Sequence, residues 1–257
     1  MEYLSDLLYL CPLLLLAGIL DGIAGGGGII ALPAYLLTGM PVHSAYACNK
    51  LQSGLGTACS GAKYIHAGLA DIRTALIALP FTVLGSMGAT RLILSLDSQV
   101  VKLIIAVCIP VAAVLMFAKR RIRGSSRRRA DFSLRTVLLC VFSGLILGAY
   151  DGLFGPGGGT VAMIVFSLLM NYDLRVGCGN GKIIIVVSNI TAVIHYITGG
   201  YMIWHVALPC SAANMLGSYI GAALAVKKGE KIVTPAMAVV ILVLLVQTVL
   251  NFLQLTG

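Results

Sequence analysis

Two aspartates, two lysines and two runs of glycine recur in the same order in each half of the chain, and these residue types together suit the handling of a small anion. Asp21-Gly22-Ile23-Ala24-Gly25-Gly26-Gly27-Gly28 returns as Asp151-Gly152-Leu153-Phe154-Gly155-Pro156-Gly157-Gly158. Cys48-Asn49-Lys50 returns, with an insertion, in Cys178-Gly179-Asn180-Gly181-Lys182, and Leu84-Gly85-Ser86 returns as Leu216-Gly217-Ser218. Three matches in one order mark a duplication.

Each glycine run precedes a short apolar stretch. A helix starting there presents unpaired N–H groups and a partial positive charge, and glycine lets an anion approach that backbone closely. Gly26, Gly27 and Gly28 in the first half and Gly157, Gly158 and Gly159 in the second are therefore candidate substrate contacts. Turning and helix packing are the other use of such glycines. Neither run fits GxxxxGK[ST], which argues against a nucleotide phosphate loop.

Lys50 and Lys182 are candidate charge partners for the anion, with Asn49 and Asn180 as hydrogen-bond donors. A lysine inside an apolar segment costs about 2.5–3.5 kcal/mol on insertion scales, so it faces protein, water or a partner. Snorkelling to the interface is the alternative, because both lie near a segment end. Asp21 and Asp151 either carry a coupling proton, cap a helix start, or neutralise a lysine, Asp21 with Lys50 and Asp151 with Lys182. Gln52, Ser53, Thr57 and Ser60, and Ser188, Asn189 and Thr191, line a pathway or join helices. His195-Tyr196 matches Lys63-Tyr64, the histidine serving either proton transfer or helix packing. No HExxH or other metal spacing occurs, and neither metal nor cofactor is expected.

The elements that must position these residues are membrane helices. The 257 residues are 59% hydrophobic and 11% charged, with a mean hydropathy of +0.98. A soluble domain carries about a quarter charged residues. Apolar stretches near the roughly 20 residues needed to span a bilayer recur almost end to end. The expected fold is an all-α polytopic membrane protein. Its segments fall at about 7–24, 27–38, 45–67, 72–96 and 99–118, then at about 133–153, 157–170, 177–199, 202–226 and 233–254, boundaries that sequence fixes only to a few residues. That gives a first membrane repeat over 1–118, a basic linker over 119–132 and a second membrane repeat over 133–257. The 7–24 segment reads as a membrane segment rather than a removed signal peptide, lacking a preceding positive charge. The seven cysteines lie in or beside apolar segments without a CxxC pair and read as packing residues.

The net charge is +9. Lys119, Arg120, Arg121, Arg123, Arg127, Arg128 and Arg129 concentrate in one loop, which reads as a topology-setting cytoplasmic loop rather than a nucleic-acid patch. Lys227, Lys228 and Lys231 place the last connection on the same side, whereas the equivalent Ser95-Leu96-Asp97-Ser98-Gln99 falls on the other. Equivalent loops on opposite sides define an inverted repeat. This requires the first two segments of each half to return to their starting side, as a re-entrant hairpin or a pair of crossings, and puts both termini outside the cytoplasm. The count is about eight transmembrane helices plus short glycine-initiated re-entrant or half helices.

Gly25-Gly26-Gly27-Gly28 followed by Pro33, the Asn49-Lys50-Leu51 step, and Tyr150-Asp151-Gly152-Leu153-Phe154-Gly155-Pro156-Gly157-Gly158-Gly159 resemble the TauE/SafE family, also called the toluene-sulfonate uptake permeases. The resemblance covers nearly the whole chain. It implies a multi-pass protein of the cell (inner) membrane, with about eight helices from a duplicated unit, moving sulfite, sulfonates or related anions, often by export. The expected function is a secondary transporter of a small anionic substrate, alternating access between its repeats and open to proton coupling. It is expected to act as no enzyme, with the lipid bilayer and the anion as partners, no nucleic acid, and an open oligomeric state. A passive anion channel and an intramembrane aspartyl protease, the latter from Tyr150-Asp151 with Asp21, are the alternatives.

Overall fold

The computed structural model describes residues 5–101, 103–104, 131, 133–229, 231–233, 235–236 and 239, and eight helices are bounded among them. In the first half these are α1 (Leu7–Ala24), α2 (Gly28–Leu37), α3 (Val42–His66) and α4 (Ile72–Ser95). In the second they are α5 (Leu134–Leu153), α6 (Gly158–Leu169), α7 (Leu174–Thr198) and α8 (Trp204–Lys228). The expected boundaries hold within a few residues. Most of the segments expected at 99–118 and 233–254, and the basic run from Lys119 to Arg129, lie outside the described residues.

Local chemistry sets the matching ends. α1 stops at Gly25, whose φ of 80° is the left-handed conformation that lacks a Cβ penalty, and its N–H bonds the Asp21 carbonyl at 2.7 Å. Gly155 takes the same turn after α5, with φ 81°. α5 begins on Ser133, whose side chain accepts the Thr136 N–H, and α7 begins on Asp173, which accepts the Arg175 N–H at 2.8 Å. α3 and α7 end alike. The Leu69 N–H bonds the Tyr64 carbonyl at 2.9 Å, and the Tyr201 N–H bonds the Tyr196 carbonyl at 3.0 Å.

The halves interlock. α1 packs along α8 of the other half, and α5 packs along α4. Glycines make both crossings close enough for backbones to touch, as expected where small residues replace a hydrophobic driving force. A Cβ on Gly22 would lie 2.8 Å from the Ala222 nitrogen, and one on Gly221 2.9 Å from the Ile19 carbonyl carbon. At the matching crossing, a Cβ on Gly85 would lie 2.8 Å from the Ala149 nitrogen, and one on Gly148 2.9 Å from the Thr82 Cα. α3 and α7 meet at the centre, where a Cβ on Gly61 would stand 3.3 Å from the Lys182 Cβ.

Polarity is reversed relative to a water-soluble protein. Leu16, Leu37, Leu138, Phe142, Leu208 and Leu216 are exposed, whereas Asn49, Gln52, Thr57, Ser60, Ser188, Asn189 and Asn214 are buried. α1, α4, α5 and α7 are long and apolar enough to cross a bilayer. α3 and α8 have 25 residues each, or roughly 37 Å of helix at 1.5 Å per residue. Their average hydropathy is lowered by polar residues that point inward. α2 and α6, at 10 and 12 residues, are short of the roughly 20 a full span needs.

Gly148→Leu lowers the melting temperature in detergent, because overpacking a close crossing costs about 1–3 kcal/mol. Gly88→Ala, where an added Cβ meets nothing within 4 Å, leaves it unchanged or raises it slightly. Thermal unfolding of the two variants beside the parent checks the contrast.

Candidate functional site

The end of α1, the glycine run after it and the start of α6 come together in the centre of the structure. The Thr160 N–H bonds the Gly25 carbonyl at 3.2 Å and its hydroxyl bonds the Ala24 carbonyl at 2.7 Å. A Cβ on Gly159 would lie 2.6 Å from the Gly25 Cα, and one on Gly28 3.2 Å from the Pro156 Cα. The two glycine runs therefore cross backbone against backbone, with no room for a side chain between Gly25 and Gly159. Gly26, Gly27, Gly157, Gly158 and Gly159 are all buried. Gly27 is packed on the Asp21 Cβ, and Gly158 on the Asp151 Oδ1, their added Cβ atoms falling at 2.7 and 2.9 Å. The runs differ at one step, where Gly157 is left-handed at φ 75° and Gly27 is right-handed at −60°.

This crossing decides which charges meet. Because each half's first helix ends against the other half, Asp21 reaches Lys182 and Asp151 reaches Lys50, each Nζ–Oδ2 separation being 2.8 Å. The pairing expected within each half, Asp21 with Lys50 and Asp151 with Lys182, does not form. Each ammonium also bonds the main-chain carbonyl of its aspartate, Lys50 to Asp151 and Lys182 to Asp21. That carbonyl belongs to the last turn of α1 or α5, where positive charge complements the helix dipole. Two of the three ammonium donors are thereby engaged. Both lysine side chains are 1% exposed. Interfacial snorkelling is ruled out, for α3 and α7 start earlier than expected and place each lysine more than two turns inside its helix.

The remaining candidates divide. Asn49 is buried beside Lys50, its Oδ1 accepting the Gln52 Nε2–H at 3.1 Å. Asn180 holds the start of α4, its Oδ1 accepting the Asp71 N–H at 2.7 Å and its Nδ2 donating to the Thr74 hydroxyl at 3.0 Å. His195 lies by the Thr191 carbonyl and Arg91, apart from both ion pairs. The sequence pattern assigns no role to Thr160, notes Tyr64 only as the repeat match of Tyr196, and places Thr57 on a polar stripe. The Thr57 hydroxyl donates to the Asp21 Oδ2 at 3.1 Å, and the Tyr64 hydroxyl reaches the Gly22 and Ile23 carbonyls at 3.3 and 3.1 Å. The Tyr64–Tyr196 match in the repeat was the available signal. Among the described residues no group of three or more His, Cys, Asp or Glu is placed to hold a metal ion.

A family profile described as "Sulfite exporter TauE/SafE" matches residues 10–248. The chain belongs to the TauE/SafE family. It is 28% identical to "Probable membrane transporter protein YfcA" of Escherichia coli (strain K12), over 93% of this chain and 91% of that one. It is 30% identical to a "Probable membrane transporter protein" of Haemophilus influenzae, over 87% and 86%, and 29% identical to "Probable membrane transporter protein ORF9" of a Sinorhizobium species, over 90% and 88%. No solved structure matches the chain. As a TauE/SafE member it is a multi-pass membrane transporter and not an enzyme. The site agrees, since each aspartate is paired with a lysine rather than with the other aspartate, as a proteolytic dyad would require.

Lys182→Met leaves Asp21 as a buried charge without its counter-ion, which costs about 3–5 kcal/mol. Adding Asp21→Asn recovers much of that stability. Thermal unfolding of the single and double variants measures the coupling; equal losses in both would contradict it.

Proposed function

We propose that this TauE/SafE protein is a secondary transporter of small sulfur-containing or organic oxyanions, such as sulfite or sulfonates, in the cell (inner) membrane. On this reading residues 1–118 and 133–257 are inverted repeats joined by the basic linker 119–132, and access alternates as one repeat moves against the other. The observation that carries it is the meeting of both glycine runs at one buried point flanked by both lysines. Gly26, Gly27, Gly28, Gly157, Gly158 and Gly159 supply small backbone surfaces at helix starts, and Lys50 and Lys182 supply charge. Asn49 lies one residue from Lys50 and adds an amide. Asn180 acts through the position of α4 and α7 rather than by its own amide.

In the state described the lysines hold internal carboxylates. A sulfite or sulfonate is a carboxylate-like acceptor with more oxygens, so it competes for the same ammonium. On this reading Asp21 and Asp151, the carboxylates that the anion displaces from the lysines, are the proton-coupling residues. The near-complete burial of both lysines favours an occluded carrier over an open pore. No nucleotide-binding motif occurs in the sequence, and the energy comes from an ion or substrate gradient.

Lys50→Ala and Lys182→Ala in proteoliposomes each reduce uptake of labelled sulfite per folded molecule, by roughly tenfold or more if a charge-assisted hydrogen bond of about 1.5–3 kcal/mol is lost. The parent shows saturation and counterflow, and an imposed pH gradient drives accumulation. Unchanged flux in both variants refutes the lysine assignment, and large single-channel currents refute the carrier.

A further inference from the structure

The two crossed ion pairs occupy equivalent places in the duplication, yet their surroundings are unlike. Around Asp21 nearly every acceptor at the end of α1 is engaged. The Asp21 carboxylate takes the Lys182 ammonium and the Thr57 hydroxyl. The Asp21 carbonyl takes Lys182 and the Gly25 N–H. The Gly22 and Ile23 carbonyls receive the Tyr64 hydroxyl, and Ile23 also the Cys178 thiol at 3.7 Å. The Ala24 and Gly25 carbonyls receive the hydroxyl and N–H of Thr160. The four carbonyls at a helix end that lack partners within the helix are thus met by side chains and by the opposite half.

At Asp151 only the lysine bonds are matched, Lys50 taking the carboxylate and the carbonyl, and the equivalents of Thr57, Thr160 and Tyr64 do not repeat their contacts. Asn189 stands where Thr57 does and reaches Ser53, at 3.5 Å, rather than Asp151. Ile30 stands where Thr160 does and has no hydroxyl to offer. Tyr196 stands where Tyr64 does, and the matching backbone bonds of Leu69 and Tyr201 show that α7 and α3 end in the same way around these tyrosines. Tyr196 is fully buried, but its hydroxyl has no hydrogen-bond partner among the described residues. A buried hydroxyl without a partner costs about 1–3 kcal/mol and calls for a reason. The acceptor Oε1 of Gln52, on the turn of α3 that carries Lys50, is also buried without a partner among the described residues.

We propose that the two pairs do unequal work: Lys182–Asp21 is a fixed strut, and Lys50–Asp151, with the Tyr196 hydroxyl as an added donor, is the half-site that lets go of its internal partners to take the oxyanion. This rests on the anion-transport reading given above and narrows it, leaving direct anion contact and proton exchange to Lys50 and Asp151 while Lys182 and Asp21 stay paired and hold the site in place. It assigns to Tyr196 a substrate contact and to Tyr64, its repeat counterpart, the capping of α1. An anion at Lys50 gives the Tyr196 O–H an acceptor, which it lacks among the described residues. The end of α5, where the equivalents of Thr57, Thr160 and Tyr64 make no matching bond among the described residues, is the end that yields.

Two measurements test this separately. Hydrogen exchange of the parent in nanodiscs, without substrate, is expected to be at least about tenfold faster over residues 151–159 than over 21–29, since less-bonded segments open more readily. Equal rates, or the reverse, overturn the inequality even if sulfite is carried. Faster exchange over 151–159 in a protein that moves none of sulfite, sulfoacetate, taurine or thiosulfate would instead sink the transport reading and leave the inequality standing. In the same proteoliposomes, Tyr196→Phe raises the KM for sulfite by about tenfold, the scale of one hydrogen bond to a charged group, with a melting temperature within a degree or two of the parent. Tyr64→Phe lowers the melting temperature by several degrees and leaves KM unchanged. A KM that rises in Tyr64→Phe and stays fixed in Tyr196→Phe overturns the assignment.

Discussion

Two ammonium groups placed on the C-terminal ends of two opposed helices are what the centre of this protein depends on. A lysine in an apolar interior is tolerated only when its charge is matched and its hydrogens find acceptors. Here the match is twofold, a carboxylate and a main-chain carbonyl from the same aspartate. The carbonyl is one that a helix end leaves without an internal partner. One side chain thus neutralises a charge, caps a helix and ties one half of the chain to the other. The glycine crossings follow from it, because a lysine can reach across only where backbones approach without intervening side chains.

Much of this was legible in the residues themselves. Hydropathy placed α1 at Leu7–Ala24 and α4 at Ile72–Ser95 almost to the residue, since long apolar runs bounded by glycine and charge leave little choice. The repeat identified Asp21, Asp151, Lys50 and Lys182 as one constellation. What it hid was the partner of each. Sequence nearness favours pairing within a half, and only the packing of α1 on α8 and of α5 on α4 turns the pairing crosswise. The starts of α3 and α7 were set three residues late, since Val42-His43-Ser44 and Leu174-Arg175-Val176 mix polar and apolar residues. That error made the lysines look interfacial.

Asn180 shows a different limit. Beside Lys182 in sequence, it reads as a substrate donor, but neighbours along a helix point in different directions. Its amide faces Asp71 and Thr74 at the start of α4. The tyrosines show the converse. Tyr64 and Tyr196 drew little weight beside the histidine and lysine preceding them, although it is their hydroxyls that distinguish the two ends of the site.

The interlocked halves bear on how such a chain can have arisen. The four helices described in either half, taken alone, would leave α1 or α5 without the surface that its glycines meet, so a half-length chain would need a second copy to cover that face. Joining the copies in one polypeptide frees each to mutate without changing the other. Threonine against asparagine at 57 and 189, and threonine against isoleucine at 160 and 30, are differences that no pair of identical subunits could keep.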